Sequence, residues 1–190
     1  MTAPNDPRTD ETLMLAYRHG EASAFEVLYG RHRAALFRYL LHQCGQREMA
    51  DELFQEIWMS VIRASGDYEV TAKFSTWLFR IAHNRLIDHY RAHGRLAEFE
   101  RHFEEDELPE MPAPVSTQPE KLVERAELAR RIVAEVDALP PAQRESFLLA
   151  TEGELSVEEI AAATGTVFET AKSRLRYAYA RLRGALGDLA

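Results

Sequence analysis

Near its end the chain places Lys172, Arg174, Arg176, Arg181 and Arg183 in quick succession, with Glu169 the one acidic residue beside them. A guanidinium can grip a guanine edge with two parallel hydrogen bonds, and an ammonium neutralises phosphate. Thr170 and Ser173 add hydroxyls between these cations, so the segment carries the chemistry of a duplex-DNA contact. Glu169 has two readings: an acceptor for a cytosine amino group, or a helix cap, since it stands third after Thr166. A second group, from Lys73 to Arg91, mixes Lys73, Arg80, Asn84, Arg85, Asp88 and Arg91 with aromatic rings. That mixture suits nucleic acid, including single strands whose bases stack on rings. Trp77 within it is expected in the core. A third, Ala50 to Trp58, sets Asp51, Glu52, Gln55 and Glu56 on one polar helix face with a partly exposed Trp58 at its edge. It is either a solvated face or a docking surface for a basic partner.

No catalytic constellation accompanies these groups. There is no glycine-rich phosphate loop, nucleophile elbow or cysteine pair, and no cofactor or small-molecule substrate is expected. His89 and His93 are four apart, a spacing that can bring two imidazoles to one metal, but no third ligand accompanies them and no metal site is expected. Cys44 stands alone and is expected to be inert. The net charge of -8 excludes a protein that coats nucleic acid by bulk positive charge, so any DNA contact must be local. Residues 94–121 hold 3 basic and 8 acidic side chains and carry most of the imbalance. No apolar run reaches the length of a membrane span, and MTAPNDPRTDE lacks the features of a secretory signal. A reducing cytoplasm is the expected location.

The elements that must position these groups read as helices throughout, so the expected fold is all-α, with two small helical domains joined by a flexible acidic linker. A short helix from about Asp10 stops at Gly20. A longer one carries Phe25, Leu28, Tyr29, His32, Leu36, Tyr39 and Leu40 on one stripe and closes at Gly45. The next runs from Arg47 to about Ala64, and Gly66 breaks it. After the loop GDYEVTAK a helix spans about Ser75 to Arg91, with Trp77, Leu78, Ile81 and Ala82 inward. These four helices define a first domain, 1–93. Periodicity is lost over 94–120, where acid accumulates and Pro109, Pro112, Pro114 and Pro119 forbid sustained helix. A second domain, 121–190, opens with an apolar series that includes Ile132, Val133, Val136 and Leu139, and Pro140-Pro141 ends it. Pro141 can open a helix to about Thr151. Two capping boxes, Ser156 with Glu159 and Thr166 with Glu169, then mark a short helix and a longer basic one either side of Gly165. Short helix, glycine turn and basic helix make a helix-turn-helix, whose second helix enters the major groove.

Two stretches carry a resemblance. ADELFQEIW followed by KFSTWLFRIAHNRLIDHYR is similar to regions 2.2 to 2.4 of the extracytoplasmic-function (ECF) sigma factors of the bacterial sigma-70 class. LPPAQRESFLLATEGELSVEEIAAATGTVFETAKSRLRYAYARLR resembles their region 4. With the linker, the resemblance covers nearly the whole chain. It implies a transcription initiation factor, not an enzyme, that binds the RNA polymerase core at the β′ clamp helices and β flap. Asp51, Glu52, Gln55, Glu56 and Trp58 would then dock on the clamp helices. Lys73, Arg80, Asn84, Asp88 and Arg91 would recognise and melt the minus-ten element, where a base is flipped from the non-template strand. Glu169, Thr170, Lys172, Ser173, Arg174 and Arg176 would read the minus-thirty-five element. The resemblance also implies an anti-sigma factor that covers both surfaces and could hold the chain at the membrane. Glu169 and Ala171 stand where members often carry glycine and valine, and Tyr177 and Tyr179 where they carry arginines, which bears on promoter sequence. The competing readings are a free-standing helix-turn-helix regulator and a helical protein adaptor.

Overall fold

The computed structural model describes residues 6–100 and 122–187. All regular structure among these is helical. Helix α1 (Asp10–Arg18) is capped by Thr9, whose hydroxyl accepts from the Thr12 N–H. Helix α2 (Ala22–Cys44) ends as the chain turns left-handed at Gly45, φ +68°, a conformation open to glycine because it has no Cβ. Helix α3 (Arg47–Ala64) passes through a 3₁₀ turn at Ser65–Asp67, and α4 (Phe74–Ala92) follows. Leu13, Met14, Leu28, Leu36, Leu40, Ile57, Phe74, Leu78 and Leu86 from these helices are fully buried together. Each such side chain contributes about 1.5–3 kcal/mol relative to exposure, which makes this bundle the main core.

The segment expected to be aperiodic begins instead with a helix, α5 (Leu96–Glu100). Its buried Phe99 lies 5.2 Å from the Tyr90 ring and 6.2 Å from the His83 ring. Leu96 and Phe99 are three apart, enough for one apolar contact inside an acidic run. The four linker prolines lie outside the described residues.

Helix α6 (Leu122–Asp137) leads to α7 (Pro141–Thr151), α8 (Val157–Thr164) and α9 (Phe168–Gly187). The apolar series expected inside α6 divides: Val136 and Leu139 are buried, whereas Ile132 and Val133 are 36% and 46% exposed. Helix α6 packs on α2 and α9, and among its described residues only Val136 is buried. Pro141 opens α7 as expected. Ser156 and Glu159 form the full reciprocal capping box on α8, and Gly165 turns the chain left-handed into α9. The second expected box does not form. Helix α9 starts one residue late, with the Ala171 N–H bonded to the Val167 carbonyl, and the Thr166 hydroxyl pairs with that of Thr164 at 3.1 Å.

The halves meet along a seam that continues the apolar core and carries polar pairs as well. Glu145 of α7 accepts from the Tyr39 hydroxyl of α2 at 2.6 Å and pairs with His83 of α4 at 2.8 Å. Arg38 reaches Glu152, Lys73 reaches Glu159 and His42 reaches Asp137. Gly153 presses on the ring of Phe79, and a Cβ there would stand 3.0 Å from it.

Candidate nucleic-acid and polymerase interfaces

Helix α3 turns Leu53, Ile57 and Val61 into the core, which leaves Glu52, Gln55 and Glu56 exposed on the opposite side. Asp51 is half-covered and lies 3.7 Å from Arg47, one turn back. Trp58 is not part of this exposed face. It is 5% exposed, enclosed by Phe25, Tyr29 and Phe54 with ring centroids 5.0–6.3 Å away. Its indole shapes the helix from beneath. An indole on an otherwise acidic helix looks like a docking anchor in sequence, but the aromatic residues of α2 fold over it. The surface left to a partner is acidic and amide.

Helix α4 presents a mixed face. Arg80, Asn84, Asp88 and Arg91 are all exposed, and Asp88 and Arg91 pair with each other at 2.9 Å. Trp77 is half-buried against Tyr68 and Phe74, as expected of a core residue. Lys73 just precedes the helix and spends its ammonium on Glu159 at 2.9 Å. Burial works against the charge of Glu159, but the Ser156 N–H and Lys73 together hold its carboxyl below the usual range.

The loop before α4 is shaped by α1, a role no sequence signal announced. The Phe74 N–H donates to Glu11 at 2.7 Å, and Arg18 donates to the Tyr68 carbonyl at 2.9 Å. The partners are 63 and 50 residues apart, beyond any local pattern. Burial pushes the phenol of Tyr68 up to about 12, with Glu11 and Asp10 adding to the effect. Between α1 and the loop lies an open groove of about 560 Å³, lined in part by Thr9, Glu11, Thr12, Thr71 and Lys73.

In α9, Ala171 and Ala178 pack inward, which turns Glu169, Lys172 and Arg176 to solvent and leaves Thr170 and Ser173 half-covered. Lys172 sits 5.6 Å from the Phe168 ring centre and 3.9 Å from Glu169. Glu169 therefore forms no capping box with Thr166, and its exposed carboxylate faces Lys172 instead. Arg174 is half-covered; burial lowers its affinity for the proton, partly offset by Glu145. The three faces thus stand on three helices, α3, α4 and α9, and the structure does not gather them into one site.

Among the described residues no group of three or more His, Cys, Asp or Glu is set to hold a metal ion. His89 and His93 stack at 4.1 Å between ring centres. Cys44 is half-buried, and burial pushes its thiol up to about 11, the opposite of an activated thiolate. No helix among the described residues is long and apolar enough to cross a membrane.

Comparison with known proteins assigns these faces to a class. The family model for sigma-70 region 2 matches residues 28–96, which hold the α3 and α4 faces. That for sigma-70 region 4 matches residues 129–182, which hold the helix-turn-helix. The chain is 32% identical to the RNA polymerase sigma factor CarQ of Myxococcus xanthus over 176 residues, covering 93% of this chain and 97% of that one. It is also 32% identical to the ECF sigma factor RpoE of Cereibacter sphaeroides over 186 residues, 96% and 98% of the two chains. The solved structure of CnrH in complex with the cytosolic domain of CnrY superposes with a TM-score of 0.65 at 25% identity, covering 95% of this chain and 99% of that one. The co-crystal structure of the sigma factor RpoE with the anti-sigma factor NepR from Bartonella quintana shares the fold, with a TM-score of 0.62 at 23% identity over 86% and 96% of the two chains. The chain belongs to the sigma-70 family, and within it to the ECF sigma factors.

Proposed function

We propose that this chain directs bacterial RNA polymerase core to a specific set of promoters in the cytoplasm and is held in check by an anti-sigma factor. The supporting observation is the order of three exposed faces on one all-helical frame: acidic α3, mixed α4 and basic α9. Asp51, Glu52, Gln55 and Glu56 dock on the β′ clamp helices, with Trp58 holding α3 in shape, and the C-terminal half meets the β flap. Lys73, Arg80, Asn84, Asp88 and Arg91 take the minus-ten strand, beside the groove that α1 frames. Glu169, Thr170, Lys172, Ser173, Arg174 and Arg176 read the minus-thirty-five duplex. No covalent chemistry is assigned to the chain. Control by an anti-sigma factor is supported by the sigma factor RpoE of Bartonella quintana, solved in complex with the anti-sigma factor NepR, beside CnrH, solved in complex with the cytosolic domain of CnrY.

Run-off transcription with bacterial core polymerase on a genomic fragment library tests this reading. Discrete new start sites that share two spaced upstream elements are the expected result. Operator binding by the chain alone, with no initiation, would instead establish a free-standing regulator. Once a promoter is known, Arg176→Ala should cost about 1–3 kcal/mol of discrimination at one upstream base pair. Lys172→Ala should weaken all sequences alike and reduce the salt slope by about one.

A further inference from the structure

The loop that precedes α4 is pinned at both of its ends by one short helix. At its start the Arg18 guanidinium of α1 donates to the Tyr68 carbonyl at 2.9 Å, and at its end the Phe74 N–H donates to the Glu11 carboxylate at 2.7 Å. The side chains at those two points are buried, with the Tyr68 and Phe74 ring centres 6.4 Å apart, while residues 69–73 between them are exposed. Phe74 is the first residue of α4, and Lys73, in the cap position, makes no side-chain bond to the helix. Glu11 therefore supplies from another helix what a cap residue ordinarily supplies from the chain itself: an acceptor and a negative charge beside the first N–H groups.

We propose that Glu11 and Arg18 are positioning residues for strand recognition: they hold residues 68–74 in the arrangement that reads the minus-ten strand, so that α1 sets sequence selectivity through the loop. The inference rests on the reading of α4 and its preceding loop as the minus-ten surface. The groove beside that loop is formed by the same two elements, with Thr9, Thr12 and Leu15 on one wall and Val70, Thr71 and Ala72 on the other. Its width follows from how closely the loop is drawn to α1, and the two bonds fix that distance. Helix α1 is itself anchored, since Leu13 and Met14 are fully buried and Asp10 meets His32 at 2.6 Å. The His32 ring in turn lies 5.1 Å from that of Phe74, so α1 reaches the start of α4 by a second route.

Charge separates positioning from direct contact at Glu11. A carboxylate beside a surface that takes phosphodiesters repels them, so by Coulomb's law alone Glu11 weakens DNA binding. Its bond to the Phe74 N–H works in the other direction, because it holds the loop in one conformation and removes the cost of ordering it on binding. The two effects have opposite signs and different sequence dependence. Relief of repulsion tightens every sequence alike, whereas release of the loop erodes the difference between one sequence and another.

The test uses the full chain with bacterial core polymerase, on a promoter found by run-off transcription. Glu11→Ala removes both acceptor and charge, Glu11→Gln keeps an acceptor oxygen and removes only the charge, and Arg18→Ala frees the other end of the loop. Initiation is measured on a template pool with the minus-ten element randomised, and amide exchange by NMR across residues 68–74 follows the loop in the free chain. Glu11→Ala should lower selectivity among minus-ten sequences about tenfold, speed exchange at Phe74 and leave the minus-thirty-five preference unchanged. Arg18→Ala should act in the same direction, and Glu11→Gln should restore most of what Glu11→Ala loses. Unchanged selectivity and exchange in both alanine variants overturns the proposal and leaves the minus-ten reading intact. So does a uniform loss at both promoter elements, which marks general damage to the fold, or an equal gain on every sequence in Glu11→Ala and Glu11→Gln, which marks repulsion alone. A loop that loosens while minus-ten selectivity holds counts against the minus-ten reading itself, and no initiation by the unmodified chain overturns that reading and the proposal with it.

Discussion

The interior of the first four helices is almost wholly apolar, whereas the seam between the halves sets ion pairs and hydrogen bonds around a continuation of that same apolar core. Leu13, Met14, Leu28, Leu36 and Ile57 fill the first with side chains that have no alternative use for their surface. The second adds to its apolar contacts Tyr39, His83, Arg38, Lys73 and four carboxylates, polar groups that water or another partner could satisfy. An apolar contact exposed to water is lost outright, whereas a polar one is exchanged. The difference gives the two regions different responses to substitution and to pH.

The comparison breaks first, and by the largest amount, at the bundle. Leu28→Ala should cost about 2–5 kcal/mol and lower the thermal midpoint of the N-terminal half, measured by calorimetry. A loss no larger than that of a seam variant would erase the distinction between the two regions. Gly153→Ala comes next, because its Cβ would meet the Leu149 carbonyl at 2.7 Å and the Phe79 ring at 3.0 Å. Overpacking of this kind costs about 1–3 kcal/mol and should appear as a longer distance between the halves, with the midpoint of the N-terminal bundle little changed. Ser156→Ala removes the hydroxyl half of the α8 cap and should cost about 1 kcal/mol in urea unfolding. The effect should be confined to the C-terminal half.

The smallest effect separates the two regions by pH. Burial pushes the Asp10 carboxyl up, but hydrogen bonds from His32 and Arg31 more than offset this and set it below its ordinary 3.8. A lowered folded value means the stabilisation is complete above the unfolded value and is lost as pH falls through the folded one. Asp10→Asn should therefore flatten the acid limb of the bundle's stability below about pH 4, with no change in the separation of the halves. An equal response of the seam distance would show that the two regions titrate as one.

Much of the fold was legible in the chain because helices announce themselves locally. The apolar stripe and glycine stop of α2, the Pro141 start of α7, and the Ser156 box with Gly165 are signals spaced within one or two turns, and each element lies where its residues put it. Trp58 escaped because its burial depends on Phe25 and Tyr29, side chains of another helix. The Thr166 box failed because Thr164 offers a hydroxyl at 3.1 Å and the helix begins one residue later, a competition between caps that the spacing alone does not rank.

By itself the sequence determined an all-helical chain in two parts, the three faces of α3, α4 and α9, and, through two motifs in order, the family. Periodicity and charge are properties of neighbouring residues, and they survive without knowledge of what lies across the molecule. Only the tertiary structure decided that α1 braces the loop before α4 and that Glu145 sits between Tyr39 and His83, more than sixty residues away in sequence. Which carboxylate meets which cation across a seam is set by how two assembled bodies approach, and no local pattern encodes that.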